Sequence, residues 1–247
     1  MAIEAHNISI ESAGARRLTG LPAGSLWPYF LLPGLFLFFA FFSAGSVTEA
    51  MELSGDLRSV ALRPWTMVTY GFLHETVFHL LLAVALLSLV VRLSKIGARA
   101  YWGLFLGGTL CGGVSFLLLF PLTGFEAGTL VGASAGICAL APLTLYSGFA
   151  HRGKSKGHPL AWVMVAVLAA DFGSFLWMRS PGFLAHLGGY ILGVFALARS
   201  LKVRRSFLKT RKRRDELARR ATQSGLSALS KEERDLLFAP EGGDSRL

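Results

Sequence analysis

Ser134 sits in the run Val131-Gly132-Ala133-Ser134-Ala135-Gly136-Ile137-Cys138-Ala139, and His79 and His186 each lie near the start of another apolar run. A serine hydroxyl is a weak nucleophile until a base takes its proton, and histidine is the usual base. The three residue types together can therefore support acyl transfer. A serine in an apolar helix more often serves packing. Its hydroxyl bonds back to a carbonyl one turn earlier, and small neighbours let another helix approach. Which role applies here depends on the elements that carry the two histidines.

The 247-residue chain is 53% hydrophobic and 16% charged, with a mean hydropathy of +0.51. A soluble domain cannot bury that much apolar surface. Several stretches reach the roughly 20 apolar residues a membrane helix needs. The long apolar runs lack period-two alternation, which excludes a membrane β-barrel and leaves helices. The fold class expected is an all-α membrane protein, a bundle of six transmembrane helices with a short helical cytoplasmic tail.

The spans read as Leu26–Ala44, Thr76–Val91, Arg99–Phe120, Gly132–Phe149, Pro159–Met178 and Gly182–Ala198. The domain reading is an N-terminal cytoplasmic segment over 1–25, the membrane domain over 26–200 and a basic tail over 201–247. Residues 1–24 lack a short apolar core followed by a cleavage site, so no removable signal peptide is expected. Residues 45–73 read as a long loop lying partly in the membrane interface, where Arg63-Pro64-Trp65 suits the depth. Pro142 falls inside the fourth span and is expected to kink it.

Lysine and arginine concentrate before span one, between spans two and three, between four and five, and after six. The positive-inside rule then puts both termini in the cytoplasm. With that orientation spans two, four and six run in the same direction, from outside to inside. His79, Ser134 and His186 each lie a few residues into one of them. At about 1.5 Å per residue they share one shallow depth. Small residues on span four and the Gly188-Gly189 and Gly193 steps on span six would let these helices approach closely.

Gly132-Ala133-Ser134, Ala185-His186 followed by Leu187-Gly188-Gly189, and His74 with His79 upstream resemble the rhomboid family of intramembrane serine proteases. Arg63-Pro64-Trp65-Thr66 is similar to the end of that family's first loop. The resemblance covers roughly residues 26–200. It implies a Ser-His dyad that cleaves peptide bonds within or beside transmembrane segments of membrane proteins. On that template Ser134 is the nucleophile and His186 the general base. His79 and the backbone N–H of Ser134 would stabilise the oxyanion, and Gly132 would permit the tight backbone before the fourth span. His74 reads as an interfacial or structural histidine.

Two departures bear on activity. Ala83 stands where the family usually carries an asparagine one turn after the second-span histidine, and Cys138 stands where it often has an aromatic stacked on the catalytic histidine. The alternative reading is a catalytically weak or inactive rhomboid-like protein that binds transmembrane helices.

Asp171 is the remaining acid inside a span. It reads either as facing a water-filled cavity or as a helix-bonded side chain near the interface, and the family template supplies no acidic third member. Cys111 and Cys138 lie in apolar runs and suggest neither a disulfide framework nor a metal site. No cofactor and no metal are expected.

The formal net charge is +10, and most of it follows Arg199. The basic stretch Lys202–Arg220 points to anionic lipid headgroups. It has no aromatic platform or motif for nucleic acid, and no nucleic-acid partner is expected. Residues 214–238 read as two short helices, with Gly225 ending the first and Ser230-Lys231-Glu232-Glu233 starting the second as a capping box. The localisation expected is the bacterial inner membrane.

Overall fold

The computed structural model describes residues 46–94, 96–124, 128–150, 159–178 and 182–239. The first expected span, the cationic stretch 151–158 and Arg179-Ser180-Pro181 lie outside the described residues.

The stretch expected to be a long loop folds into short helices: α1 (Ser46–Met51), α2 (Leu57–Leu62) and α3 (Thr66–Thr69), the last running into a 3-10 turn at Tyr70–Phe72. Asp56 starts α2 by accepting from the N–H groups of Arg58 and Ser59 at 3.2 and 2.9 Å. Arg63 donates to the Glu49 carbonyl, and the Trp65 indole N–H donates to the Ala50 carbonyl at 2.8 Å. These two side chains therefore tie the turn between α2 and α3 to α1.

The apolar runs form α4 (Val77–Ser94), α5 (Ala98–Leu119), α6 (Ser134–Ala150), α7 (Pro159–Met178) and α8 (Gly182–Ser224). Among the described residues, the helical stretches Val77–Ser94, Arg99–Thr123 and Gly182–Ser224 are long and apolar enough to cross a membrane. Ser134–Phe149 and Ala161–Gly173 are shorter apolar helices. The count of six spans stays an expectation of the sequence. Large apolar side chains such as Phe78, Leu118 and Phe195 point outward, as lipid-facing positions do. Helix α6 continues through Pro142.

The α6 helix packs on α4, α5 and α7. Glycines set the approach distances. A Cβ on Gly108 would strike the Ala139 methyl, and one on Gly112 would lie 2.5 Å from that of Ala135. On α8, a Cβ at Gly188 would strike the Cys111 carbonyl of α5, and one at Gly189 the Ala135 carbonyl of α6. At Gly193 it would lie 2.5 Å from the Ala139 carbonyl. Small residues thus bring three backbones together, as membrane helix interfaces require. Buried hydroxyls in these helices satisfy themselves locally. Thr109 and Thr144 donate to the carbonyls of Phe105 and Leu140, one turn back, at 2.9 and 2.8 Å.

A two-residue antiparallel ladder joins the segment between α1 and α2 to the chain just before α6. Strand β1 (Leu53–Ser54) pairs with β2 (Thr129–Leu130), Leu53 opposite Leu130. The Gly55 N–H extends it by donating to the Gly128 carbonyl at 2.9 Å. The Gly132 N–H then donates to the Tyr70 carbonyl at 2.9 Å, and the buried Tyr70 hydroxyl donates to the Thr109 carbonyl of α5 at 2.7 Å. The backbone that leads into Ser134 is therefore held from both sides.

Contacts divide the chain into one compact unit up to Ala196 and a second from Leu197. In the second, α8 continues to Ser224 in place of the separate short helix expected there. Gly225, at φ +79°, follows its last residue. Helix α9 (Lys231–Phe238) starts with the full capping box, Ser230 and Glu233 each accepting from the other's backbone N–H. Glu233 also receives Arg213 and Arg220 at 3.3 and 3.0 Å.

Candidate active site

Ser134 is the first residue of α6. At that position no helical carbonyl lies one turn earlier for its hydroxyl, and its N–H is among those a helix start leaves without an intrahelical acceptor. The hydroxyl instead meets His186 of α8, with Oγ 2.7 Å from Nε2 across a separation of 52 residues in sequence. Ala133 and Ala135, on either side, are buried in two separate apolar clusters. Packing thus fixes the backbone while Ser134 itself keeps partial access.

The other face of the imidazole carries a feature that sequence reasoning missed. His186 Nδ1 lies 2.7 Å from Oδ1 of Asp171 on α7. The Tyr190 hydroxyl, one turn after His186, donates to Oδ2 of Asp171 at 3.1 Å. The His186 and Asp171 side chains are only 15% and 18% exposed, so water competes weakly for this bond. Neither sequence reading of Asp171, facing a cavity or helix-bonded near the interface, included this contact with His186. Helices α7 and α8 place the two together. The signal available was the acid itself inside an apolar run, together with a tyrosine one turn from the histidine.

An ionised carboxylate can only accept hydrogen bonds. With such an acceptor at Nδ1, the Nδ1–H tautomer satisfies both contacts of the ring, and its Nε2 lone pair would face the serine hydroxyl. That is the tautomer a general base needs.

His79 enters from α4. Gly132 has φ +124°, and a Cβ there would lie 2.8 and 3.0 Å from Cε1 and Nε2 of His79 and 3.6 Å from Ser134 Oγ. The imidazole therefore rests on the backbone just before the serine. Thr76 starts α4 by accepting from the His79 N–H at 3.1 Å. His74 is buried with its ring edge-on to that of His79, centroids 5.1 Å apart. Ala83, one turn beyond His79, is buried in the core and supplies no donor.

Cys138 lies one turn beyond Ser134 and is buried. It gathers with Asp171 and His186 so that one ligand-type atom of each falls within 4.8 Å of the others. This grouping, unforeseen from the apolar setting of the cysteine, has the donor set of a metal site. Its carboxylate and both imidazole nitrogens are already used by Tyr190, by Ser134 and by each other.

The model of the rhomboid domain matches residues 61–202, more than half of the chain. The chain belongs to the rhomboid family. No curated protein matches it. The rhomboid domain and the long apolar helices together make it an integral membrane protein with an all-α membrane bundle. The matched segment contains His79, Ser134, Asp171 and His186.

Proposed function

We propose that this rhomboid-family protein is an intramembrane serine endopeptidase. It cleaves peptide bonds within or next to transmembrane segments of membrane proteins. The observation that carries this reading is the 2.7 Å approach of Ser134 Oγ to His186 Nε2. His186 takes the hydroxyl proton as Oγ attacks the scissile carbonyl carbon. The carbonyl oxygen becomes an oxyanion, met by the Ser134 N–H at the helix start and by His79. Collapse of the tetrahedral intermediate breaks the C–N bond, and the imidazolium gives its proton to the leaving amine. The acyl group on Ser134 is then hydrolysed by a water that His186 deprotonates.

The membrane domain is assigned to residues 26–200 with six spans and both termini in the cytoplasm, in a bacterial inner membrane. The basic stretch of residues 202–220 supports adhesion of the tail to anionic headgroups. Co-sedimentation with phosphatidylglycerol vesicles but not with neutral phosphatidylcholine vesicles tests that part.

The test of the activity combines a serine-directed fluorophosphonate with a panel of single-span substrates. Labelling and cleavage that vanish in Ser134→Ala and His186→Ala support the protease. Ala83 and Cys138 favour a second reading, a rhomboid-like protein that binds helices without cutting them. Binding of a single-span substrate, with neither labelling nor cleavage in lipid, would establish that reading instead.

A further inference from the structure

We propose that Asp171 is a positioning residue for His186, so that this rhomboid works with a Ser134–His186–Asp171 triad in which Tyr190 steadies the acid. The inference rests on the protease reading above and deepens it. The carboxylate bonds Nδ1 at 2.7 Å while Nε2 faces Ser134 Oγ at 2.7 Å, so the acid and the serine occupy opposite nitrogens of one ring. Tyr190 donates to the second carboxylate oxygen. It shares a face of α8 with His186, one turn away. Acid and base are thereby fixed from two helices.

The arrangement explains how the site tolerates Cys138. An aromatic ring one turn after Ser134 would fill the space beside the imidazole. Here a thiol is present, and the ligand-type atoms of Cys138, Asp171 and His186 crowd within 4.8 Å. The small side chain leaves room for Asp171 and Tyr190 to orient the ring by hydrogen bonding. His79, from α4, faces His186, and the Tyr70 hydroxyl faces Cys138. His79 lies on the oxyanion side, under Gly132.

The chemistry adds no step to the reaction. When His186 takes the Ser134 proton, it becomes an imidazolium with Nδ1–H directed at a carboxylate. Asp171 accepts this bond throughout and takes no proton, stabilising the charge. An amide at position 171 can turn its NH2 toward Nδ1. The ring proton then moves to Nε2, and the lone pair that should accept from Ser134 is lost.

The test uses the full-length protein in lipid nanodiscs with 15N-labelled histidine. In the wild type, His186 is expected in the Nδ1–H tautomer, and in Asp171→Asn it shifts to Nε2–H. With a single-span substrate, Asp171→Asn lowers kcat by about 10²- to 10⁴-fold with KM unchanged. Tyr190→Phe lowers kcat less and keeps the wild-type tautomer. A wild-type His186 found as Nε2–H overturns the proposal without any variant. So does a folded Asp171→Asn that keeps wild-type kcat or the wild-type tautomer. Cleavage that persists in Ser134→Ala would instead sink the protease reading, and the tautomer measurement would still stand on its own.

Discussion

Gly132 and His79 are in direct contact: the imidazole lies so close to the glycine that any Cβ would fall 2.8 Å from Cε1 and 3.0 Å from Nε2. The glycine is needed for two separate reasons. Its φ of +124° is a conformation that L side chains rarely adopt, and the space above it is taken by a ring. Gly132→Ala must strain the backbone and push His79 away from the serine. The strain costs about 1–3 kcal/mol. Loss of one oxyanion donor lowers kcat by about 10²–10³-fold. Cleavage of a single-span substrate and the unfolding midpoint of the variant check both parts. A Gly132→Ala protein with wild-type kcat would mean that His79 plays no part at the oxyanion.

His79→Ala separates the ring from the glycine. It removes the donor and leaves the backbone of Gly132 as it is. The expected result is the same fall in kcat, about 10²–10³-fold, with a smaller loss of stability than in Gly132→Ala. Fluorophosphonate labelling of Ser134 slows and is not abolished, because Ser134 and His186 remain in place. A rate of labelling equal to that of the wild type would contradict the assignment.

How far the site was legible in the sequence can be argued from these residues. Ser134, His79 and His186 could be matched because each stands at a similar distance from the start of an apolar run, and depth in a membrane is a one-dimensional quantity. The approach of Asp171 to His186 is a question of which way two helices face. Helix α7 is apolar apart from Asp171 and Ser174, too few polar residues to mark an inward face. The end of α8 was missed for another reason. The change from apolar to basic at Arg199 is a change of solvent, and lysine and arginine form helix well. After Arg199 no glycine or proline occurs until Gly225. The capping chemistry at Ser230 was readable because both partners lie within four residues.

Gly189 tests whether packing brings Ser134 and His186, the proposed catalytic pair, together. Its position on α8 faces the Ala135 carbonyl, one residue after Ser134, and an added Cβ would also lie 3.0 Å from that of Cys138. Gly189→Val must move α8 away from α6, since backbone cannot yield as a flexible side chain does. Overpacking of this kind costs about 1–3 kcal/mol. Separation of His186 from Ser134 is expected to reduce fluorophosphonate labelling by at least about tenfold. Gly173→Ala, where a Cβ meets nothing within 4 Å, is the control and should label normally. Normal labelling of a folded Gly189→Val would show that the two helices have slack the glycine does not control.

The tail provides a prediction about pH. The Glu233 carboxyl is held below its ordinary value of 4.5, first by the backbone N–H of Ser230 and then by Arg220 and Arg213. A depressed carboxyl stabilises the folded form above the unfolded value, and that contribution is lost as pH falls through the folded one. The capping box should therefore hold at pH 6 and weaken on acidification below 4.5. Carbon chemical shifts of residues 231–238 in the intact protein report helix content there. They are expected to move toward coil values as the pH drops. In Glu233→Gln the side chain can no longer ionise, so the same shifts should be closer to coil at pH 6 and change little on acidification. A wild-type α9 that keeps its helical shifts well below the ordinary glutamate value would mean that the box and the two arginines do not hold the start of this helix.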